Sequence, residues 1–424
     1  MGDRWFGSQL LFYLFIVYLL VRLFFSSVAS DFSMLLLLIP NVGITLLNVG
    51  GTTIPLLNLL ICLALLKLVL LFGHVPLTKS YLFLVGAVVA YEWGHVVYYD
   101  IKSIFLLFSW SGAVVYVSLF LYYSQETYNH RLAVTYFIAG VLISALFGIM
   151  DFVDRYGSLL NHNATIRFFG GAGDANYFSM YSMMAMFCLL YIISRQTKKA
   201  LKIVYPLLFL FFMAFGVLSL SRMFMMVVSL LCLMLLVNVI FSRKRNKRLI
   251  HFLLLVSLFL SIFVFHFREE VGSLVGLLFS RFTDFMDDPA GLTSNRNILA
   301  EQYLEMLKVN YEQLLFGIGI QEYHIRSGIL LEAHNFLLEL LVVWGIVGFL
   351  AFGGYLLSLF KLAGSSSSLN GTSMIGWLPL LCIGVSFMSI NAVSNESFFL
   401  LLLFAIKHLY EYALILDSPS MRLK

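Results

Sequence analysis

A stretch of predominantly apolar residues long enough to cross a bilayer recurs twelve times along the chain, near 8–25, 54–73, 81–99, 104–123, 132–150, 177–194, 203–220, 222–241, 250–267, 335–360, 374–390 and 396–415. A membrane-spanning helix needs about 20 such residues. The chain is therefore expected to fold as an all-α, polytopic membrane bundle, a single membrane domain over residues 1–424. Composition closes off the alternatives. Of 424 residues, 61% are hydrophobic and 12% charged, against about 45–50% and about 25% in a soluble domain. That excludes soluble enzymes, disulfide scaffolds, disordered regulators and nucleic-acid binders. Cys62, Cys188, Cys232 and Cys382 all lie inside apolar runs, with neither a disulfide framework nor metal-ligand spacing. The first run, Leu10 to Phe25, is long enough to remain as a span, and no small-residue cleavage pattern follows it.

A thirteenth stretch, 32–50, carries Pro40, Asn41, Gly43, Asn48 and Gly50, with Gly51 just beyond. Such residues break helices or leave backbone groups unsatisfied in lipid, so a broken, re-entrant or interfacial piece is expected there. Lys and Arg set the orientation. With twelve spans and a cytoplasmic N-terminus, fifteen basic residues fall on inner loops and tails, densest at 195–202 and 243–248. The short outer loops hold only Lys102, Arg155, Arg167 and Arg222. Both termini are then cytoplasmic. Counting 32–50 as a full span would move the N-terminus outside and leave everything downstream unchanged.

Two outer segments exceed plain connectors, Asp151 to Asn176 and the 66 residues from Arg268 to Ala333. A loop of the latter length inside a compact domain is usually functional. Within it Val271, Leu274, Val275, Leu278, Phe282 and Phe285 recur at helical spacing, as in a helix lying on a membrane surface. Asp287-Asp288-Pro289 breaks the chain, and a second helix is expected after an N-cap at Thr293 or Ser294, with the apolar stripe Leu299, Ala300, Tyr303 and Leu307.

Three arginines stand against the positive-inside trend. Arg222 follows Leu218-Ser219-Leu220-Ser221 at the outer turn between two apolar runs. An arginine in hydrocarbon costs about 2.5–3.5 kcal/mol on insertion scales, so it either snorkels to headgroups or faces a partner or aqueous cavity. Arg296 shares the helical face of Leu299, Ala300 and Tyr303, where it pairs with a loop carboxylate or points inward to a ligand. Arg167 precedes Phe168-Phe169-Gly170-Gly171, as a headgroup contact or a third ligand. A guanidinium is a planar fork suited to phosphate oxygens, so the common ligand implied is an anion at the outer interface, a lipid-linked pyrophosphate above all. His334 stands at the N-terminus of the run at 335–360, where a positive helix end favours neutral imidazole and hence a base. Glu92 and His95 share a helical face, as a hydrogen-bonded packing pair or as lining of the same cavity. Asp284, Asp287 and Asp288 read more simply as a solvated turn than as a metal site.

The order of these features resembles the bacterial O-antigen polymerase and O-antigen ligase family, polytopic glycosyltransferases of about a dozen spans with one large extracytoplasmic loop late in the chain. The matching residues are Gly170-Gly171 through Asn176-Tyr177; Ser221-Arg222 opening a span; Ser294-Asn295-Arg296 opening a loop helix; Leu315-Phe316-Gly317-Ile318-Gly319; and His334-Asn335 followed by Gly345-Ile346-Val347-Gly348. They cover residues 160–355; the N-terminal third matches in pattern only, including Leu38-Ile39-Pro40. The resemblance implies a GT-C-like bundle in the bacterial inner membrane. It also implies an undecaprenyl-diphosphate-linked glycan as donor, a pyrophosphate held by Arg222 and Arg296 with Arg167 as helper, and His334 beside the acceptor hydroxyl, with Asn335, Glu92 and His95 near the cavity. No metal or other cofactor is expected. Among partners it implies a polysaccharide chain-length regulator. A polymerase would take a lipid-linked repeat unit as acceptor and is the favoured reading; a ligase would take lipid A-core. A flippase or transporter is the alternative of another class, although such proteins keep charges near the midplane and show repeated halves, neither of which is visible here.

Overall fold

The computed structural model describes residues 9–49, 52–71, 78–98, 104–123, 128–159, 166–195, 201–241, 247–283, 296–321, 323–329, 331–363, 374–388, 390 and 395–417. From the N-terminus, α1 (Gln9–Phe25), α2 (Val28–Leu38) and a 3-10 turn (Ile39–Asn41) lead to a hairpin of β1 (Thr45–Val49) and β2 (Thr52–Pro55). There follow α3 (Leu56–Leu71), α4 (Lys79–Tyr98), α5 (Ile104–Tyr123), α6 (His130–Tyr156) and α7 (Ala175–Arg195). Next come α8 (Leu201–Leu218), α9 (Arg222–Phe241) and α10 (Lys247–His266). The long connection holds α11 (Arg268–Thr283), α12 (Arg296–Val309), α13 (Tyr311–Phe316) and α14 (Tyr323–Arg326), and α15 (Phe336–Ala363), α16 (Met374–Phe387) and α17 (Glu396–Asp417) complete the order.

Each of the twelve apolar runs thus holds helix, the run at 335–360 as a helix broken at Gly345. Among the described residues five helices are long and apolar enough to cross a membrane, or six if α10 and α11, bent by 96°, are taken as one broken span. Several other apolar helices, α1, α3 and α8 among them, are shorter than 18 residues. The helix α7 is the centre of the bundle, with 89% of its apolar window buried; α6, α8, α10 and α16 pack around it. Its residues Phe178, Met180, Met183, Met184, Phe187 and Cys188 are all in the core. Outer faces such as Leu10, Leu14 and Phe24 of α1 or Leu254 and Leu258 of α10 remain exposed, as lipid-facing positions do.

The stretch 32–50 is broken, as its composition suggests. Pro40 sits in the first turn of the 3-10 segment, where a missing N–H costs little. The freed carbonyls are met from inside the protein: Asn41 Nδ2 donates to Leu37 O and to Gly140 O, each at 3.0 Å, and Ser144 Oγ donates to Pro40 O at 2.7 Å. Beyond it the chain forms an antiparallel two-stranded ladder pairing Asn48 with Thr53 and Val49 with Thr52, the one departure from an all-α description among the described residues. The other end of α2 lies beside the end of α3, where Asp31 pairs with Lys67 at 2.8 Å. Asp31 is also bonded by Ser26.

The long connection holds helices on both sides of the undescribed residues 284–295. The turn at Phe267 sends α11 off at 96° to the preceding helix, with Val275 exposed and Val271 half-buried, while the side chains of Leu274, Leu278, Phe282 and Phe285 lie outside the described residues. Leu299, Tyr303 and Leu307 of α12 are buried and Ala300 packs against the same core. The proposed caps at Thr293 and Ser294, together with Asn295, Phe285, Asp284, Asp287, Asp288 and Pro289, lie outside the described residues.

The Gly317 and Gly345 motifs form a backbone crossing. Gly345 (φ 60°, ψ −169°) breaks α15, so carbonyls of the preceding turn lose their helical partners. Ile318 N donates to Val342 O at 3.1 Å and Gly319 N to Val343 O at 2.8 Å. A Cβ on Gly317 would fall 2.2 Å from Val343 O, and one on Gly345 would fall 2.4 Å from Leu315 O. Only hydrogen fits between the two backbones.

Candidate active site

The first turn of α7 is the hub of the site. Asp174 caps it: Oδ1 accepts from Asn176 N at 2.7 Å and Tyr177 N at 3.1 Å, filling the helix-end donors that would otherwise be open. Asn176 Oδ1 in turn accepts from Arg167 Nη2 at 2.8 Å and Ser221 Oγ at 3.2 Å. Arg167 Nε donates to Ser219 O at 2.9 Å. These bonds lace the glycine turn at 170–171 to the turn that opens α9 and carries Arg222. Gly171 is itself fixed, its N–H donating to Ser144 Oγ at 2.8 Å and its carbonyl accepting from Gly43 N at 3.0 Å.

Beside this hub lies a cavity of about 410 Å³. Asp174, Asn176 and Tyr177 from α7 line one wall, Glu332 and His334 from the segment before α15 another. A third comes from Asn395 and Glu396 at the start of α17, and the fourth from Val42, Pro55, Leu57 and Asn58 near the hairpin. Asn58 Nδ2 donates to Glu396 Oε1 at 3.0 Å, tying two of these walls together.

His334 lies on the cavity wall in a left-handed conformation, φ 47°. Among the described residues the other non-glycine with positive φ is Leu220 (φ 49°), two residues before Arg222. Backbone strain of this kind costs of order 1–3 kcal/mol and gathers at functional sites; here both instances flank the same site. Asn335 is the cap of α15, its Oδ1 accepting from Leu337 N at 3.1 Å and Leu338 N at 3.2 Å, and it is not among the residues that line the cavity.

The electrostatics tie Arg296 into the group. Burial pushes the His334 imidazole below its usual pKa, the nearby Arg296 guanidinium pushes it further, and Asp174 opposes both. Desolvation is the largest cause and Arg296 the second. Arg296 is half-buried, its pKa lowered by that burial and supported by Asp174. Burial raises the Glu332 carboxyl, with His324 opposing. Arg167, Arg296, His334 and the turn of Arg222 therefore gather around the start of α7.

Glu92 and His95 lie elsewhere. Glu92 Oε1 accepts from Ile320 N at 2.9 Å and Oε2 from Trp344 Nε1 at 2.7 Å. His95 Nε2 lies 2.8 Å from Phe316 O, and the Tyr91 hydroxyl is within 2.8 Å of Phe316 O and 2.9 Å of Trp344 O. The pair clamps the Gly317–Gly345 crossing, and neither residue lines the cavity. Missing from the sequence reading are Asp174, Glu332, Asn58, Asn395 and Glu396. Of these Asp174 had a local signal, a capping residue directly before Ala175-Asn176-Tyr177; the others meet only through the tertiary fold.

No curated protein matches the chain. Residues 207–353 match the family model described as O-Antigen ligase, a stretch that holds Arg222, Arg296, His334 and the whole backbone crossing, while Arg167, Asp174 and the walls from α3 and α17 lie outside it. Together with five or six helices among the described residues that are long and apolar enough to cross a membrane, the match makes this a helical membrane protein whose residues 207–353 are similar to the O-antigen ligase family.

Proposed function

We propose that the chain is a glycan polymerase of the bacterial inner membrane, transferring a glycan from a polyprenyl diphosphate carrier to a sugar hydroxyl of a lipid-linked repeat unit on the extracytoplasmic face. The observation that carries this reading is a half-buried histidine on a cavity wall, its pKa lowered by burial and by the nearby Arg296, next to a helix start, that of α7, to which Arg167 and the turn of Arg222 are bonded. In the reaction His334 takes the proton of the acceptor hydroxyl as its oxygen attacks the anomeric carbon. The bond from that carbon to the diphosphate oxygen breaks, and the polyprenyl diphosphate departs with the electron pair. One displacement inverts the anomeric centre. Arg222 and Arg296 face the departing diphosphate, whose charge grows in the transition state, so fixed guanidinium groups stabilise it more than the ground state. Arg167 supports them by holding the turn of Arg222 to α7. This reading calls for no metal. The segment 268–333 faces the exterior, and a chain-length regulator is the expected protein partner.

The description of the matched family favours a second reading, transfer to lipid A-core. Reconstituted protein given only lipid-linked repeat units decides between them. Polymer without lipid A-core supports the polymerase; product only when lipid A-core is added supports the ligase. Movement of the lipid across the vesicle without any new glycosidic bond would make the chain a flippase and end both readings.

A further inference from the structure

The cavity and the arginines have opposite character. Asp174, Glu332 and Glu396 bring three carboxyl groups to the cavity, and Asn58, Asn176 and Asn395 bring three amides. Among the described residues no lysine or arginine lines it. A site for the diphosphate would be expected to show the reverse. Among the described residues no group of three or more His, Cys, Asp or Glu side chains is placed to hold a metal ion. Carboxylates and amides are instead the side chains that pair with sugar hydroxyls, the first as charge-assisted acceptors and the second as donor and acceptor together. At about 410 Å³ the cavity falls within the roughly 300–1,000 Å³ of small-ligand sites.

Resting on the transferase reading, we infer that this cavity is the subsite for the acceptor-end sugar and that it selects a neutral or amino sugar over a uronic acid or phosphorylated one. A carboxylate on the sugar would be desolvated opposite Asp174, Glu332 and Glu396, with the nearby Arg296 already facing Asp174, and like charges at close range exclude a partner more effectively than a missing contact does. The division of labour follows: arginines hold the diphosphate, the acidic wall holds the sugar, and His334 stands on the cavity wall close enough to Arg296 to feel its charge.

The test separates sugar binding from transfer. In full-length protein lacking the native cysteines and reconstituted in vesicles, Val42→Cys places a thiol on the cavity wall, and an uncharged, membrane-impermeant maleimide reads its accessibility. Methyl glucoside and methyl glucosaminide should protect it, and methyl glucuronide should protect it at least about tenfold less well. In Glu332→Gln/Glu396→Gln, which keeps shape and removes charge, that preference should shrink to about threefold or less. Equal protection by glucoside and glucuronide, no protection by any of them, or a preference unchanged in the double variant would each overturn the inference. Transfer from lipid-linked repeat units is assayed in the same vesicles. Selective protection without transfer leaves the sugar subsite standing and removes the transferase reading; transfer without selective protection does the opposite.

Discussion

His334 and Asp174 share one electrostatic neighbourhood, which makes the role of the histidine measurable through pH. A base works only when unprotonated, so the rate should fall on the acid side through the pKa of His334, which lies below the usual value for histidine. Asp174 raises that pKa, so Asp174→Asn should move the acid limb to lower pH. A limb that stays in place would remove His334 from the rate. Losing a general base costs about 10²–10⁴-fold. His334→Asn should therefore lose activity on that scale in the reconstituted assay while still binding the lipid-linked donor; polymer at near wild-type rate would leave His334 a structural residue. At Arg222 and Arg296 the test is the fork itself. Arg→Lys at either position should not restore full activity, because an ammonium cannot bind two phosphate oxygens in plane; normal polymer amount and length from both variants would end the diphosphate assignment. Arg222, Arg296 and His334 could be picked out because each breaks a local rule, a charge or a base where an apolar or solvated residue would stand. Glu396 and Asn58 break no such rule. Their pairing across 338 positions of sequence is set by packing alone.

At the scale of elements, the twelve apolar runs were legible because a 20-residue period of hydrophobicity needs no tertiary information, and the stripe of α12 because 3.6-residue spacing fixes a face. The hairpin of β1 and β2 was not: Asn48 and Gly50 signalled a break in the helix and carried no signal for what replaces it. Glu92 and His95 likewise share a face whether they line a cavity or clamp a loop, and only the position of the Gly317 turn decides. That clamp gives a prediction of its own. Removing the Glu92 carboxyl leaves Ile320 N–H and Trp344 Nε1–H without their acceptors, and each unsatisfied buried donor costs about 1–3 kcal/mol. Glu92→Ala should lower the Tm in detergent clearly. Glu92→Gln should do so less, since one acceptor oxygen survives. Gly317→Ala should be worse tolerated than either, because its new methyl meets backbone that cannot rotate away. Equal Tm values for all three and the wild type would show that the crossing does not hold the site's frame.

For the whole molecule the open quantity is orientation, and α2 bears on it. One end of α2 lies beside the end of α3, through Asp31 and Lys67, and its other end leads into the 3-10 turn bonded to α6 near the glycine turn. With the 3-10 turn it continues into, it is one of the shorter apolar helices, Val28–Asn41. Treated as a crossing, α2 puts the start of α1 on the exterior face, the alternative that the Pro40 break had weighed against. The later helices do not depend on this choice. In the proposed orientation the positive-inside bias keeps the basic clusters at 195–202 and 243–248 in the cytoplasm, which would put the segment 268–333 and the cavity on the exterior. Cysteine labelling of intact cells with an impermeant maleimide tests both statements in one series. Glu305→Cys, on the exposed side of α12, should label from outside, and Arg245→Cys should label only after permeabilisation. A cysteine placed ahead of α1 should label from outside if α2 crosses and be protected if it does not. Labelling of Arg245→Cys in intact cells would invert the bundle and carry the proposed site to the cytoplasmic face, where a glycan already delivered to the exterior could not reach it.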